Sequence, residues 1–135
     1  MSRDRARGEA IAQKHDIHSV CASLEEVLRD RGIDAIYHAT PDGLHVQHAI
    51  ATAAAGTHVL IEKPLAMSVR ESIEAMVACR SHGVKLGVVF NQRHEAVHQE
   101  ARRMILQGEI GEVKPAYVHI PLRLTMPRPA GATTN

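Results

Sequence analysis

The sequence predicts an α/β fold in which a parallel sheet alternates with helices. Two observations carry this. Short apolar runs at 33–40, 58–61 and 85–90 alternate with helical stretches that stop at glycines, the order that β-α-β crossovers require. The apolar residues are mainly Ala, Val, Ile and Leu, with no Trp, one Phe and two Tyr. Such a set packs helices closely on something flat and offers few aromatic platforms for bases or sugars.

Each element has a local reason. Ser23-Leu-Glu-Glu26 is a capping box, in which a hydroxyl and a carboxylate satisfy the first free amides of a helix, and that helix is expected to stop at Gly32. Ile33–Thr40 (IDAIYHAT) is the first clear strand. Pro41-Asp42 leads into an Ala-rich helix that stops at Gly56, and His58–Ile61 is the next strand. A second capping box, Ser68-Val-Arg-Glu71, opens a helix running to about His82, where Gly83 supplies the left-handed closing position. Lys85–Phe90 (KLGVVF) is the third strand. From Asn91 the character changes: a helix of about Glu95–Gln107 ends at Gly108, a strand-like segment covers Val113–Leu124, and PRPAGATTN has the composition of an unpacked tail. The expected division is one domain over 1–90 and the beginning of a second over 91–135.

The run HVLIEKP (58–64) poses the functional question. Three apolar residues of a strand that reads as buried on both faces end on an acid, a base and a proline. Right-handed crossovers put every strand's C-terminal end on one edge of the sheet, where open α/β sheets bind ligands. Thr40-Pro41, Glu62-Lys63-Pro64 and Asn91-Gln92-Arg93 all fall there.

Several classes are disfavoured. The net charge is +1 and the basic residues are scattered, so no footprint for nucleic acid or an anionic membrane appears. No apolar run approaches the ~20 residues of a membrane span. Cys21 and Cys79 form neither a CxxC pair nor a disulfide framework, which fits a soluble, cytoplasmic protein. His94-Glu95-Ala-Val-His98 matches the zinc-protease pattern HExxH on an expected helix, where His94, His98 and Ile105 share a stripe. Among ten histidines the match is weak, and Ala101 and Met104 stand where an extended zinc motif places Gly and His. No metal site is expected, and His48, three residues beyond His45, reads as structural.

The stretches IDAIYHATPDGLHVQHAI, AGTHVLIEKPLAMSVRES, GVKLGVVFNQR and GEIGEV together resemble the Gfo/Idh/MocA oxidoreductases. The resemblance spans roughly residues 2–120, and its most specific parts are Glu62-Lys63-Pro64 and Thr40-Pro41-x-x-x-His45. It implies a Rossmann domain, incomplete over 1–90, followed by the start of an α/β substrate domain over 91–135. It also implies hydride transfer between a nicotinamide cofactor and a sugar, polyol or related hydroxy or keto compound. By the same resemblance, Lys63 is catalytic, as proton donor or electrostatic stabiliser. Glu62 and Pro64 sit beside it at the cofactor, and Pro64 follows an often cis bond. Thr40, Pro41 and His45 line the dinucleotide, and Asn91 and Arg93 lie near the substrate. Ser2, Arg3 and Arg7 match positions around the adenine ribose. A hydroxyl with two guanidiniums suits a 2′-phosphate, so NADP is favoured over NAD.

The sequence departs from the family pattern in two places. None of the nine glycines forms GxGxxG, and the Asp-x-x-x-His pair that most members use with the lysine does not appear. The expectation is a truncated Rossmann sheet with its first two strands mostly missing. Its Ile33–Thr40 edge would be free to associate, through that edge or the second domain, into a homo-oligomer. The chain alone would then bind NADP(H) weakly and turn nothing over. The alternative is a non-catalytic remnant or interaction protein, with a zinc peptidase as the remote reading.

Overall fold

The computed structural model describes residues 4–117. They fall into two compact units divided between His94 and Glu95. In the first, α1 (Arg5–Lys14) and α2 (Leu24–Arg29) precede β1 (Ala35–His38), α3 (His45–Ala54), β2 (His58–Glu62), α4 (Val69–Ser81) and β3 (Leu86–Val89). Short 3-10 turns, Asp42–Leu44 and Asn91–His94, follow β1 and β3. The strands form one parallel sheet in the order β1-β2-β3, with Ile36 beside Val59 and Val59 beside Leu86.

Helix ends follow the sequence signals closely. Ser68 Oγ accepts from the Glu71 amide at 3.2 Å, and the Glu71 carboxylate accepts from the Met67 amide at 3.0 Å. Ser23 and Glu26 repeat this arrangement, with the Ala22 amide as the second donor. Gly83 closes α4 at φ +67°, a conformation that costs glycine nothing. Only α2 is shorter than expected. It ends at Arg29 because Asp30 turns extended and its carboxylate accepts from the Gly32 amide at 2.9 Å, a local bond that competes with the helix.

The strands also end inside the apolar runs that predict them. Ile33, Asp34, Ala39 and Thr40 lie outside β1, and Lys85 and Phe90 outside β3. A ladder needs partners on both strands, and β2 spans only His58–Glu62.

The core lies on one face of this sheet. Ala49 and Ala53 of α3, with Ala75 and Cys79 of α4, surround Val59 and Ile61 of β2. Small side chains at these positions let both helices approach the strand. The opposite face carries Tyr37 and Leu60, which are 53% and 43% exposed. This corrects the expectation of a strand buried on both faces. Burial along β2 alternates, because successive side chains point to opposite faces and, among the described residues, helices cover only one of them.

The second unit holds α5 (Ala96–Leu106), followed by Gly108 at φ +73°. Arg103 bridges Glu100 and Glu109 at 2.6 and 2.5 Å. Residues 111–117 carry no regular structure, so the strand expected over Val113–Leu124 is absent from its described part. Pro115 removes a donor that a ladder there would need; the remainder of that strand and the PRPAGATTN tail lie outside the described residues. Among the described residues no helix is long and apolar enough to cross a membrane.

Candidate active site

Parallel pairing brings the three predicted turns to one edge of the sheet. Thr40 and Pro41 follow β1, Glu62 closes β2 with Lys63 and Pro64 beyond it, and Asn91 and Arg93 follow β3. Pro41, Lys63, Pro64, Asn91 and Arg93 are exposed, whereas Thr40 and Glu62 are half-buried. The Lys63-Pro64 peptide is cis.

Glu62 is held from two sides. The Tyr37 hydroxyl donates to Oε1 at 2.5 Å, and the Lys63 amide donates to Oε2 at 3.1 Å. Tyr37 stands on the neighbouring strand and points to the same open face. The phenol, and after it the Lys63 amide, holds the Glu62 carboxyl below the usual carboxylate range. Donating to that carboxylate in turn pushes the Tyr37 hydroxyl up. Water screens both groups, so the pairing fixes the carboxylate's direction more than it stabilises the fold.

His45 does something the sequence did not suggest. Its ring is 0% exposed, with Nδ1 2.7 Å from the Pro64 carbonyl and Nε2 2.9 Å from the Thr40 carbonyl. The buried ring thus makes an internal tie that the sequence reading had not included. His45 joins the turn after β1 to the turn that carries Lys63.

Two further histidines gather beneath it. His38 is 3% exposed, and its Nε2 lies 2.9 Å from Thr52 Oγ1 on α3. The His48 ring is tilted 42° to it at 5.6 Å, and His48 Nδ1 is 3.4 Å from Thr40 Oγ1. Burial, with smaller contributions from His48 and His45, pushes His38 down to about 4. Burial also lowers His48. His48 thus packs beside His38 and reaches Thr40. Tyr37, His38 and Thr52 were missed. The available signals were alternation, which puts His38 on the inward face with Ile36, and a lone Thr in the Ala-rich helix.

The remaining expected residues are dispersed. Arg7 is exposed in the first turn of α1, whose N-cap Asp4 accepts from the Arg7 amide at 3.1 Å. Ser2 and Arg3 lie outside the described residues. The Arg93 guanidinium lies over the Phe90 ring, 5.4 Å from its centroid. HExxH does not form one helical face: His94 ends a 3-10 turn and Glu95 is extended at ψ 136°, so only His98 lies within α5. Among the described residues, no group of three or more His, Cys, Asp or Glu is placed to hold a metal ion.

A family profile, GFO_IDH_MocA, described as an oxidoreductase family with an NAD-binding Rossmann fold, matches residues 1–90. The chain belongs to the Gfo/Idh/MocA family. It is 40% identical over 111 residues to the 1,5-anhydro-D-fructose reductase of Ensifer adhaerens, covering 82% of this chain and 33% of that protein. It is 36% identical over 113 residues to a scyllo-inositol 2-dehydrogenase (NAD(+)) of Bacillus subtilis, covering 84% of this chain and 32% of the relative. Among solved structures, the WlbA dehydrogenase of Bordetella pertussis, in complex with NADH and UDP-GlcNAcA, superposes with a TM-score of 0.75. That match has 34% identity and covers 82% of this chain and 32% of the other. The chain therefore spans about a third of the length of the relatives it matches. Within the Gfo/Idh/MocA fold, β1, β2 and β3 are the strands whose C-terminal ends carry Thr40-Pro41, Glu62-Lys63-Pro64 and Asn91.

Proposed function

We propose that this chain supplies the nicotinamide-facing edge and the acid–base lysine of an NADP-dependent oxidoreductase acting on a sugar-like alcohol or ketone. The observation that carries the reading is Lys63. It stands exposed at the end of the middle strand, on a turn fixed by Glu62 on one side and His45 on the other. The named relatives act on a sugar anhydride and an inositol, and the WlbA structure holds NADH with a nucleotide sugar.

A bound nicotinamide supplies the two-electron acceptor or donor. In the oxidative direction Lys63 takes the substrate hydroxyl proton onto Nζ, and in the reductive direction it returns a proton to the carbonyl oxygen. Thr40 and Pro41 would border the cofactor, and Asn91 and Arg93 would face the substrate. Ser2, Arg3 and Arg7 favour a 2′-phosphate and hence NADP. Thr40, Pro41 and Lys63 suit the nicotinamide end of the cofactor, and Ser2, Arg3 and Arg7 the adenine ribose. The sequence has no GxGxxG to receive the pyrophosphate, so the chain by itself binds weakly and is inactive in our reading. Among the described residues β1 is an edge strand paired with β2 alone, which favours self-association, and two separated cysteines suit a cytoplasmic setting.

The test is a chimera in which this chain replaces the matching segment of the Ensifer adhaerens 1,5-anhydro-D-fructose reductase. We expect reductase turnover, and a loss of about a hundredfold or more in kcat for Lys63→Met, the usual range for a lost acid–base group. A folded chimera whose Lys63→Met variant is equally active would sink the reading. NADPH fluorescence titration of the chain alone should show no micromolar saturation; saturable micromolar binding would refute the weak-binding expectation.

A further inference from the structure

The His45 site does not balance with a neutral ring. Carbonyl oxygens only accept hydrogen bonds, and a neutral imidazole offers one N–H and one lone pair. Here the Pro64 carbonyl lies 2.7 Å from Nδ1 and the Thr40 carbonyl 2.9 Å from Nε2, around a ring that is 0% exposed. With either neutral tautomer, one nitrogen lone pair would face an oxygen lone pair at hydrogen-bond distance, without water to separate them. Rotating the ring by half a turn would set C–H groups against both carbonyls and leave two acceptors unmet. An imidazolium, with N–H groups on both sides, satisfies both.

We propose that His45 is the positioning residue of the Lys63 turn, a doubly protonated clamp that donates one N–H to each of two strand-end carbonyls. It rests on the oxidoreductase reading only in naming Lys63 as the group being aimed. The tie is selective. Pro64 directly follows Lys63, and Thr40 borders the opposite wall of the same edge, so a single ring sets the spacing between the two turns. The surroundings suit a cation in part. His38 on β1 and His48 along α3 are disfavoured as cations by burial, the first strongly, so His45 does not sit beside two further charges. Glu62, at the end of β2, is kept ionised chiefly by the Tyr37 hydroxyl and the Lys63 amide, so a carboxylate also stands at this edge. Lys63 and Arg93 are cations at this same edge, and both are exposed.

Ring nitrogens report their protonation directly. Long-range 15N–1H correlation on the labelled full chain near neutral pH should show one imidazole with both nitrogens at imidazolium shifts, absent in His45→Gln, while the His38 ring keeps one bare nitrogen. A bare nitrogen on His45 overturns the clamp. Should His45→Gln fail to fold, through-bond assignment of the wild-type ring decides the matter alone. In the chimera, His45→Gln should lower kcat about tenfold, the scale of a lost buried charge-assisted bond, while the KM for NADPH stays within about twofold. Unchanged kcat in a folded variant removes the positioning role. Failure of the oxidoreductase reading shows elsewhere, as full activity in Lys63→Met, and leaves the ring spectrum to judge the clamp.

Discussion

Leu60 and Ile61 are neighbours in β2 and both are aliphatic, yet one is 43% exposed and the other 0%. They mark two faces of one sheet with different work. The face toward α3 and α4 carries Val59, Ile61 and the buried His38, and holds the fold together. The open face carries Tyr37, Leu60 and Glu62, and there a phenol and a carboxylate meet at 2.5 Å in contact with solvent. Stability and candidate chemistry are thus divided by the period-2 alternation of a single strand. Lys63 follows at the point where the alternation ends, and from the covered side His45 reaches its turn through the Pro64 carbonyl.

The most severe way to break the comparison is from the covered side. Ile61→Ala should lower unfolding stability by about 3 kcal/mol, the cost of lost burial together with an unfilled cavity between two helices. Urea denaturation with an unchanged slope would show it as a shift in midpoint. A loss below about 1 kcal/mol would mean that α3 and α4 collapse onto the strand, and that the small residues at their contact leave slack.

His38 gives the covered face a pH dependence of its own. Its pKa falls on folding from 6.5 to about 4, so the unfolded chain binds the additional proton between those values. The stabilisation associated with a neutral His38 is therefore complete above about pH 6.5 and disappears as pH falls toward 4, a change of up to about 3 kcal/mol. His48 at 5.6 Å and Thr52 at 2.9 Å face it, and His45 also disfavours its charged form. His38→Gln, which can still reach Thr52, should flatten the stability profile between pH 4 and 6.5. A profile as steep as that of the unmutated chain would assign the slope to another group.

These faces were not equally legible in the sequence. Ser68 with Glu71, Ser23 with Glu26, and Gly83 announced their helix ends because each signal acts within a few residues. The three turns at the C-terminal edge followed from element order, since parallel strands leave no other place for them. The coverage of β2 was misread, because Val59-Leu60-Ile61 is equally apolar whether helices cover one face or two. The tie made by His45 was illegible for a related reason: its partners are the carbonyls of Thr40 and Pro64, five and nineteen residues away, and backbone acceptors leave no mark on composition. HExxH failed as a helical stripe because Glu95 is extended, so a pattern written for one helix straddles its start.

The smallest effects should come from the open face. Leu60→Ala removes a side chain that already touches water, and should cost less than about 1 kcal/mol against the 3 expected one residue later. Gly87 lies beside Leu60 in the sheet, and a Cβ added there would stand 3.0 Å from Leu60 Cδ1. That atom is the far end of a side chain with solvent to turn into, and the next atom, the Val59 carbonyl oxygen, is 3.9 Å away. Gly87→Ala should therefore be close to neutral, the swing of Leu60 being offset by the lower backbone entropy of the unfolded chain. Combined with Leu60→Ala, the clash disappears, and the double variant should be more stable than the sum of the two single changes by a few tenths of a kcal/mol. A loss above about 1 kcal/mol in Gly87→Ala alone would mean that Leu60 cannot move, and that something packs against a face that is bare among the described residues.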